Sequence, residues 1–443
     1  MSRLMSAVLR YAEDGFARFH MPGHKGGELP YPGFGQIAAL DLTEAAGLDS
    51  LYNASGVIRQ TELAYARLYG SADCLISAGG STLCIQAMLA LAAKPGQKLL
   101  VGREAHVAVV NAMALLDLHP QWLMPARDCA SGLAAAITPQ QVEQGLCDHP
   151  DAAAVYLTSP TYFGVCADIE TIARVCKTRG VPLLVDNAHG AHLAFFSPNR
   201  HPIALGAALC CDSLHKTLPV LTGGALLHIG DGRCAPHARQ KLSLFGSTSP
   251  SYLIMASIDG ALDYLASGAA AVQMQAAAER LAQVGQKAKS RGYLLAGGDD
   301  PLRLTLGAAG LGYTGEQLGE HLRSHKVEPE YAGGGFVVLM ASPFNPPEDF
   351  VRLESALENL PTRPAIPLPV DDAALPVRVL SLRDAALAES EIIPIENTPG
   401  RIACALVAPC PPGIALACAG ERIDERLARA LKNYGISRAS VVK

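Results

Sequence analysis

Residues 211–224 read CDSLHKTLPVLTGG. A serine, a histidine and a lysine, Ser213, His215 and Lys216, stand together here, between a strand-like run and a small-residue loop. Polar groups collected just after an apolar strand are what a parallel α/β sheet produces. Its strands are covered on both faces, so ligands gather at their carboxyl ends. The flanking sequence repeats the pattern. KLLVG (98–102), AAAVYLTSP (152–160), PLLVDNAHG (182–190), CCDSLHK (210–216) and GALLHIG (224–230) read as strands. TELAYARLYG (61–70), HVAVVNAMALL (106–116) and IETIARVCKTRG (169–180) read as helices between them. Strands alternating with helices predict a mainly parallel sheet with helices on both sides.

The chain divides further. Residues 1–45 read as an arm with one short helix and then Pro- and Gly-rich sequence. The sheet-bearing large domain is expected over 46–290 and closes on a long Ala-rich helix, about 252–291. Residues 291–365 alternate strand and helix (PLRLTLGA, TGEQLGEHLRSH, GGFVVLMAS, PEDFVRLESALENL) and predict a smaller α+β domain. Residues 366–443 form a last C-terminal segment ending in a helix.

Composition narrows the class. With 443 residues, 49% apolar and 17% charged, the chain is globular and of several domains. A net charge of -5 without a basic block argues against nucleic-acid binding. The 12 cysteines form no CxxC pair, so they read as free thiols of a reducing cytoplasm. The charge-poor run CLISAGGSTLCIQAMLALAA is interrupted by Gly-Gly-Ser-Thr and by Gln86. It predicts a buried loop and helix rather than a membrane span.

Four groups carry chemistry. Gly79, Gly80, Ser81 and Thr82 precede a helix, where small residues, hydroxyls and backbone N–H groups make an anion cradle. Taken alone the pattern is also that of a plain helix cap. Asp186 ends a strand and is followed by His189 and His192. A turn separates the two histidines, so metal ligation is not expected. Lys216 lies one βα unit on, with Ser213 and His215 beside it. A lysine amine near other polar groups forms Schiff bases with carbonyls. His106 stands at the end of KLLVG, where an imidazole can stack on a flat ring or simply start a helix. Jointly these groups describe a flat, anionic, carbonyl-bearing cofactor with a ring nitrogen, and pyridoxal 5'-phosphate (PLP) has those parts.

FHMPGHKGG (19–27), DLTEAAGLDSLYNASGVI (41–58), DNAHGAHLAF (186–195), SLHKTLP (213–219), STSPSY (247–252) and GRIACALVAPCPPGIALACAGERI (400–423) resemble the Orn/Lys/Arg decarboxylase family. The resemblance is to the short form without an N-terminal wing domain. It implies an aspartate-aminotransferase-like fold (PLP fold type I): a large, mainly parallel, seven-stranded sheet domain and a smaller C-terminal α+β domain. It further implies a homodimer or larger, with PLP on Lys216. By motif, Gly80, Ser81, Thr82, Ser213 and His215 would hold the phosphate. His106 would stack on the ring, Asp186 would pair with its nitrogen, His189 would sit near the phenolic oxygen or the substrate carboxylate, and Thr161 would lie at the ring edge. Ser247 and Thr248 would reach the neighbouring subunit's phosphate.

The chain departs from the family at His106-Val107-Ala108, where His-Lys-Ser is usual, and at Cys410, where tyrosine is usual. Asn187 is a further variation. The expected reaction is decarboxylation of lysine, arginine or ornithine to an amine, a chemistry of polyamine biosynthesis. Lys216, His189 and Asp186 would be catalytic, and Glu396 or Asp49 would meet the substrate's distal cation. Two competitors remain. One is a transaminase or β-eliminating lyase on the same fold, and a transaminase would use Arg303 or Arg401 for the substrate carboxylate. A non-catalytic partner protein would dispense with Lys216.

Overall fold

The computed structural model describes residues 3–27, 29–31, 33–367, 375–407 and 416–443. Seven strands form the large sheet: β1 (Asp73–Ser77), β2 (Lys98–Gly102), β3 (His119–Leu123), β4 (Ala154–Thr158), β5 (Leu183–Asp186), β6 (Leu209–Asp212) and β7 (Ala225–Ile229), in the order β1-β7-β6-β5-β4-β2-β3. The chain clusters into two compact units, residues 1–92 with 182–272 and residues 93–181 with 273–443.

In the first unit β5 and β6 run parallel, with Asp186 opposite Cys211, while β7 runs antiparallel to β6 and to β1. Every residue of β5, β6 and β7 is buried, which is why LLVD, LCCD and ALLHI show no alternation of apolar and polar residues. The arm's helix Arg3–Glu13 buries Leu4 and Val8. The Met5 N–H donates to the buried carboxylate of Asp259, 2.9 Å away, which also accepts from Thr61 Oγ1 at 2.6 Å.

In the second unit β2 pairs in parallel with both β3 and β4. A separate antiparallel sheet follows the order β10-β11-β9-β8, from β8 (Leu294–Ala296), β9 (Arg303–Gly307), β10 (Tyr331–Gly333) and β11 (Phe336–Met340). Helices Gly315–Ser324 and Pro347–Glu358 supply Leu318, Leu322, Phe350 and Leu353 to a core with Leu304, Leu306, Val337 and Leu339. A C-terminal pair, β12 (Ser390–Pro394) and β13 (Arg438–Val442), shares its core with the helix Glu425–Asn433 through Ile395, Leu427, Leu431 and Val441.

Two segments read as single elements are divided in the structure. The expected long helix is two, Tyr252–Ala266 and Ala269–Ser290, because Gly268 between them adopts φ +79°, which a continuous right-handed helix excludes. CCDSLHK is not one strand: β6 ends at Asp212, and Leu214–Thr217 make a single helical turn. Among the described residues no helix is long and apolar enough to cross a membrane. The run read there as loop and helix contains β1 and the helix Gly80–Ala92.

Candidate active site

The carboxyl ends of β5 and β6 bring the central groups together within the first unit. Lys216 is carried one helical turn past β6, its N–H donating to Ser213 O at 3.1 Å. Its side chain is exposed, and Nζ lies 3.0 Å from Nε2 of the buried His189. An ammonium can only donate, so Nε2 accepts and the imidazole proton sits on Nδ1. His189 follows β5 on a turn closed by the Gly190 N–H donating to Asn187 O at 2.7 Å.

The anion cradle is built from two directions. Ser213, which begins the lysine turn, sends its hydroxyl to Ser81 Oγ, 2.9 Å away on the first turn of the helix Gly80–Ala92. Gly80 stands at φ +72°, a conformation that a side chain would strain, and its N–H donates to Gly223 O at 2.8 Å. Thr82 is exposed at the same helix start. His215 Nδ1 donates to Gly224 O at 3.0 Å, and a Cβ on Gly224 would collide with Val220, so only glycine allows this return of the loop.

Asp186 is buried at the end of β5, where its Oδ1 accepts from the Ala188 N–H at 3.1 Å and from Cys211 Sγ at 3.6 Å. Thr217 Oγ1, next to the lysine, is buried without a hydrogen-bond partner. The residues fit PLP by their chemistry: clustered hydroxyls at a helix start for an anion, a buried carboxylate for a protonated ring nitrogen, and an amine for a carbonyl.

Other expected residues stand elsewhere. Ser247 and Thr248 are exposed in the first unit, with Ser247 Oγ accepting from the Ser249 N–H. His106 belongs to the second unit and begins the helix Val107–Leu116, its Nδ1 accepting from the Ala108 N–H at 3.2 Å. Thr161, also there, is buried, and its Oγ1 accepts from the Val165 N–H at 3.1 Å. Glu396 is exposed on a short 3-10 turn. Cys410 lies outside the described residues.

Asp49, expected at the substrate's distal cation, is met here by backbone donors. Its carboxylate accepts from the backbone N–H groups of Ser50, Ser55, Gly56 and Ile58 at 2.8–3.1 Å and so ties down the start of the helix Val57–Tyr69. Burial pushes its pKa up, but the N–H bonds from Ser55, Ser50, Gly56 and Arg59 outweigh this and hold it below the ordinary carboxylate value.

The sequence reading missed the buried group behind β6. Asp212 meets His228 Nε2 at 3.0 Å, His201 Nε2 at 3.1 Å and the Asn187 amide at 2.6 Å. His201, Cys210 and Asp212 place their ligand atoms within 4.8 Å of one another, a spacing that admits a cation. However, His201 Nδ1 accepts from the Ile203 N–H at 3.3 Å, so its proton is on Nε2. That nitrogen is a donor and has no lone pair left for a metal. The sequence signal was a histidine inside the all-apolar strand ALLHI and a carboxylate closing LCCD, each unsolvated there without a partner.

The chain matches the Orn/Lys/Arg decarboxylase major domain over residues 2–295 and the C-terminal domain of the same family over 379–436. It is 30% identical to an arginine decarboxylase of Halalkalibacterium halodurans over 95% of this chain and 91% of that one. The structure is similar to the lysine decarboxylase of Francisella novicida, with a TM-score of 0.83 and 17% identity over 100% of this chain and 81% of the other. It also resembles Sphingomonas wittichii serine palmitoyltransferase, with a TM-score of 0.59 and 14% identity over 81% and 83% of the two chains.

Proposed function

The chain belongs to the Orn/Lys/Arg decarboxylase family, and on that premise we propose that it removes the α-carboxylate of a basic L-amino acid with PLP held at Lys216. The observation that carries the reading is the 3.0 Å contact between Lys216 Nζ and His189 Nε2, at the ends of two adjacent parallel strands. When bound, PLP supplies an aldehyde for a lysine amine and a ring that draws off the electrons of the breaking Cα–carboxylate bond.

The chain's residues do the rest. Lys216 must lose a proton before its amine is a nucleophile, and His189 Nε2 is at hydrogen-bond distance to take it. Given back from Nζ or Nε2, a proton is what Cα needs once CO2 has left. Asp186 would keep the ring nitrogen protonated. Gly80, Ser81, Thr82, Ser213 and His215 would hold the phosphate, and Ser247 and Thr248 that of a neighbouring subunit in a homodimer or larger assembly. The family resemblance would give His106 the face of the ring and Thr161 its edge. Glu396 is the carboxylate offered to the substrate's distal cation. The 30% identity to an arginine decarboxylase over nearly the whole chain favours L-arginine as substrate. Its amine product enters polyamine biosynthesis. The described cysteines are thiols outside any disulfide, their ordinary state in a reducing cytoplasm.

Transamination is disfavoured because both arginines offered for it are occupied. Arg303 is buried and donates to Thr161 O and Tyr162 O at 3.0 and 2.9 Å. Arg401 donates to Glu391 at 2.6 Å and to Val442 O at 2.8 Å.

The test is purified protein with PLP, given L-arginine, L-lysine and L-ornithine separately, with CO2 and amine followed. One of the three is expected to release both, and Lys216→Ala is expected to abolish turnover together with the visible absorbance of the lysine-bound cofactor. Keto acid without CO2, or full turnover by Lys216→Ala, overturns the reading.

A further inference from the structure

Asp212 is fully buried, and the groups around it are as closed as it is. His201, His228 and Asn187 have no exposed surface, and the Tyr69 ring packs on both imidazoles at 4.8 and 4.7 Å between centroids. The histidines come from outside the lysine turn, one from β7 and one from the segment before β6. The third donor is different. Asn187 is the residue directly after Asp186 and two before His189, and Asp212 is the residue directly before Ser213.

The bond from Asn187 Nδ2 to Asp212 Oδ1, 2.6 Å, therefore ties the turn that carries Asp186 and His189 to the turn that carries Ser213 and Lys216. It extends the β5–β6 pairing beyond the last register pair, Asp186 opposite Cys211, where the Asn187 N–H also donates to Cys211 O at 3.0 Å. The Asn187 carbonyl closes the His189 turn. Tyr69 braces the same turn with its hydroxyl, which donates to Ala191 O at 3.1 Å. The other amide atom, Asn187 Oδ1, is buried without a partner, so the amide's orientation is decided by Asp212 alone. Burial by itself would raise the Asp212 pKa, but the two histidines bring it well below the carboxylate range, so an anion is what Asn187 meets.

We propose that Asp212 and Asn187 are positioning residues, a buried clasp that sets the spacing of Asp186 and His189 against Ser213 and Lys216. Catalysis depends on such spacing because small displacements of reacting groups cost large factors in rate. The proposal rests on the decarboxylase reading, and wild-type turnover checks that reading separately.

The experiment is a double-mutant cycle of Asn187→Ala and Asp212→Asn, read by kcat and KM, by the PLP dissociation constant from cofactor absorbance, and by thermal unfolding. Asn187→Ala leaves Asp212 both its histidine donors. It is expected to lower kcat about tenfold with KM little changed and to weaken PLP binding several-fold. The double variant is expected to lose no more than the worse single one, since both break one link. If the cluster only stabilises the fold, Asn187→Ala lowers the melting temperature while kcat and PLP affinity stay at wild-type values, and the clasp is overturned. Additive losses overturn it as well. Should Asp212→Asn not fold, Asn187→Ala decides alone through PLP affinity, a readout independent of turnover.

Discussion

Glu421→Ala is expected to destabilise the protein by about 4 kcal/mol, and the geometry around Arg103 gives the reason. The guanidinium meets Glu421 as a fork, NH1 to Oε1 and NH2 to Oε2, both at 2.8 Å, with the two side chains 7% and 2% exposed. Glu421 Oε2 also accepts from the Cys418 N–H at 2.7 Å, and Arg103 lies over the Trp122 ring at 4.7 Å. Each charge-assisted bond contributes about 1.5–3 kcal/mol. Removing the carboxylate forfeits two of them and strands a buried cation, which together cost about 3–5 kcal/mol. A loss of about 4 kcal/mol is nearly a thousandfold in the unfolding equilibrium.

The chain's single tryptophan is Trp122 itself, so its fluorescence in a urea titration reports on this site. The internal control is Glu391→Ala, which breaks the Arg401–Glu391 pair, whose side chains are 35% and 42% exposed. An exposed pair of that kind contributes less than about 1 kcal/mol. Replacing both partners, Arg103→Met with Glu421→Leu, should cost less than Glu421→Ala, because no lone charge stays buried. If Glu421→Ala falls within about 1 kcal/mol of Glu391→Ala, the assignment of Arg103–Glu421 as a structural ion pair is refuted.

Two further predictions follow from pH. The Asp49 carboxylate is held below its ordinary value of 3.8, so its contribution to stability is complete above that pH and is lost as pH falls through the lower folded value. Asp49→Asn, which tolerates the residue's φ of +67°, should flatten the acid side of the stability profile with KM for substrate unchanged. A raised KM would return Asp49 to the substrate site. Glu104 has the opposite sign. Burial raises its carboxyl to about 7, with Arg127 offsetting part of the effect, so the folded state loses stability as pH rises from 4.5 to about 7. Glu104→Gln should stabilise the protein at pH 8 and leave it unchanged at pH 4, as calorimetry at the two pH values would show.

The central turn was legible in the one-dimensional pattern because its information is local. LLVD followed by Asn-Ala-His-Gly states an apolar strand and the polar turn at its end, whereas CCDSLHK read as one strand and its turn after Asp212 came only with the structure. Strands buried on both faces must be continuously apolar, so where they stop is visible. The short strands β1, β3, β8, β10, β12 and β13 were not read as strands, since three to five residues at a sheet edge or in a small sheet carry too little pattern to compete with a loop. The break at Gly268 was hidden in the same way, because a single glycine in an Ala-rich run is compatible with a helix until its φ is known.

What only the tertiary structure decided is which partner each polar side chain meets. Asp49 and Asp212 are both carboxylates whose partners cannot be read from their neighbours in the chain. One is spent on four backbone N–H groups of its own neighbourhood, the other on two histidines and an amide brought in from separate segments. A hydrogen bond between residues 25 apart, as for Asn187 and Asp212, leaves no periodicity in the chain. Lys216 could be singled out from its sequence neighbours. Its 3.0 Å approach to His189, 27 residues earlier, required the parallel pairing of β5 with β6. Residue type and spacing state what chemistry is available, while burial and strand register decide which groups are close enough to use it.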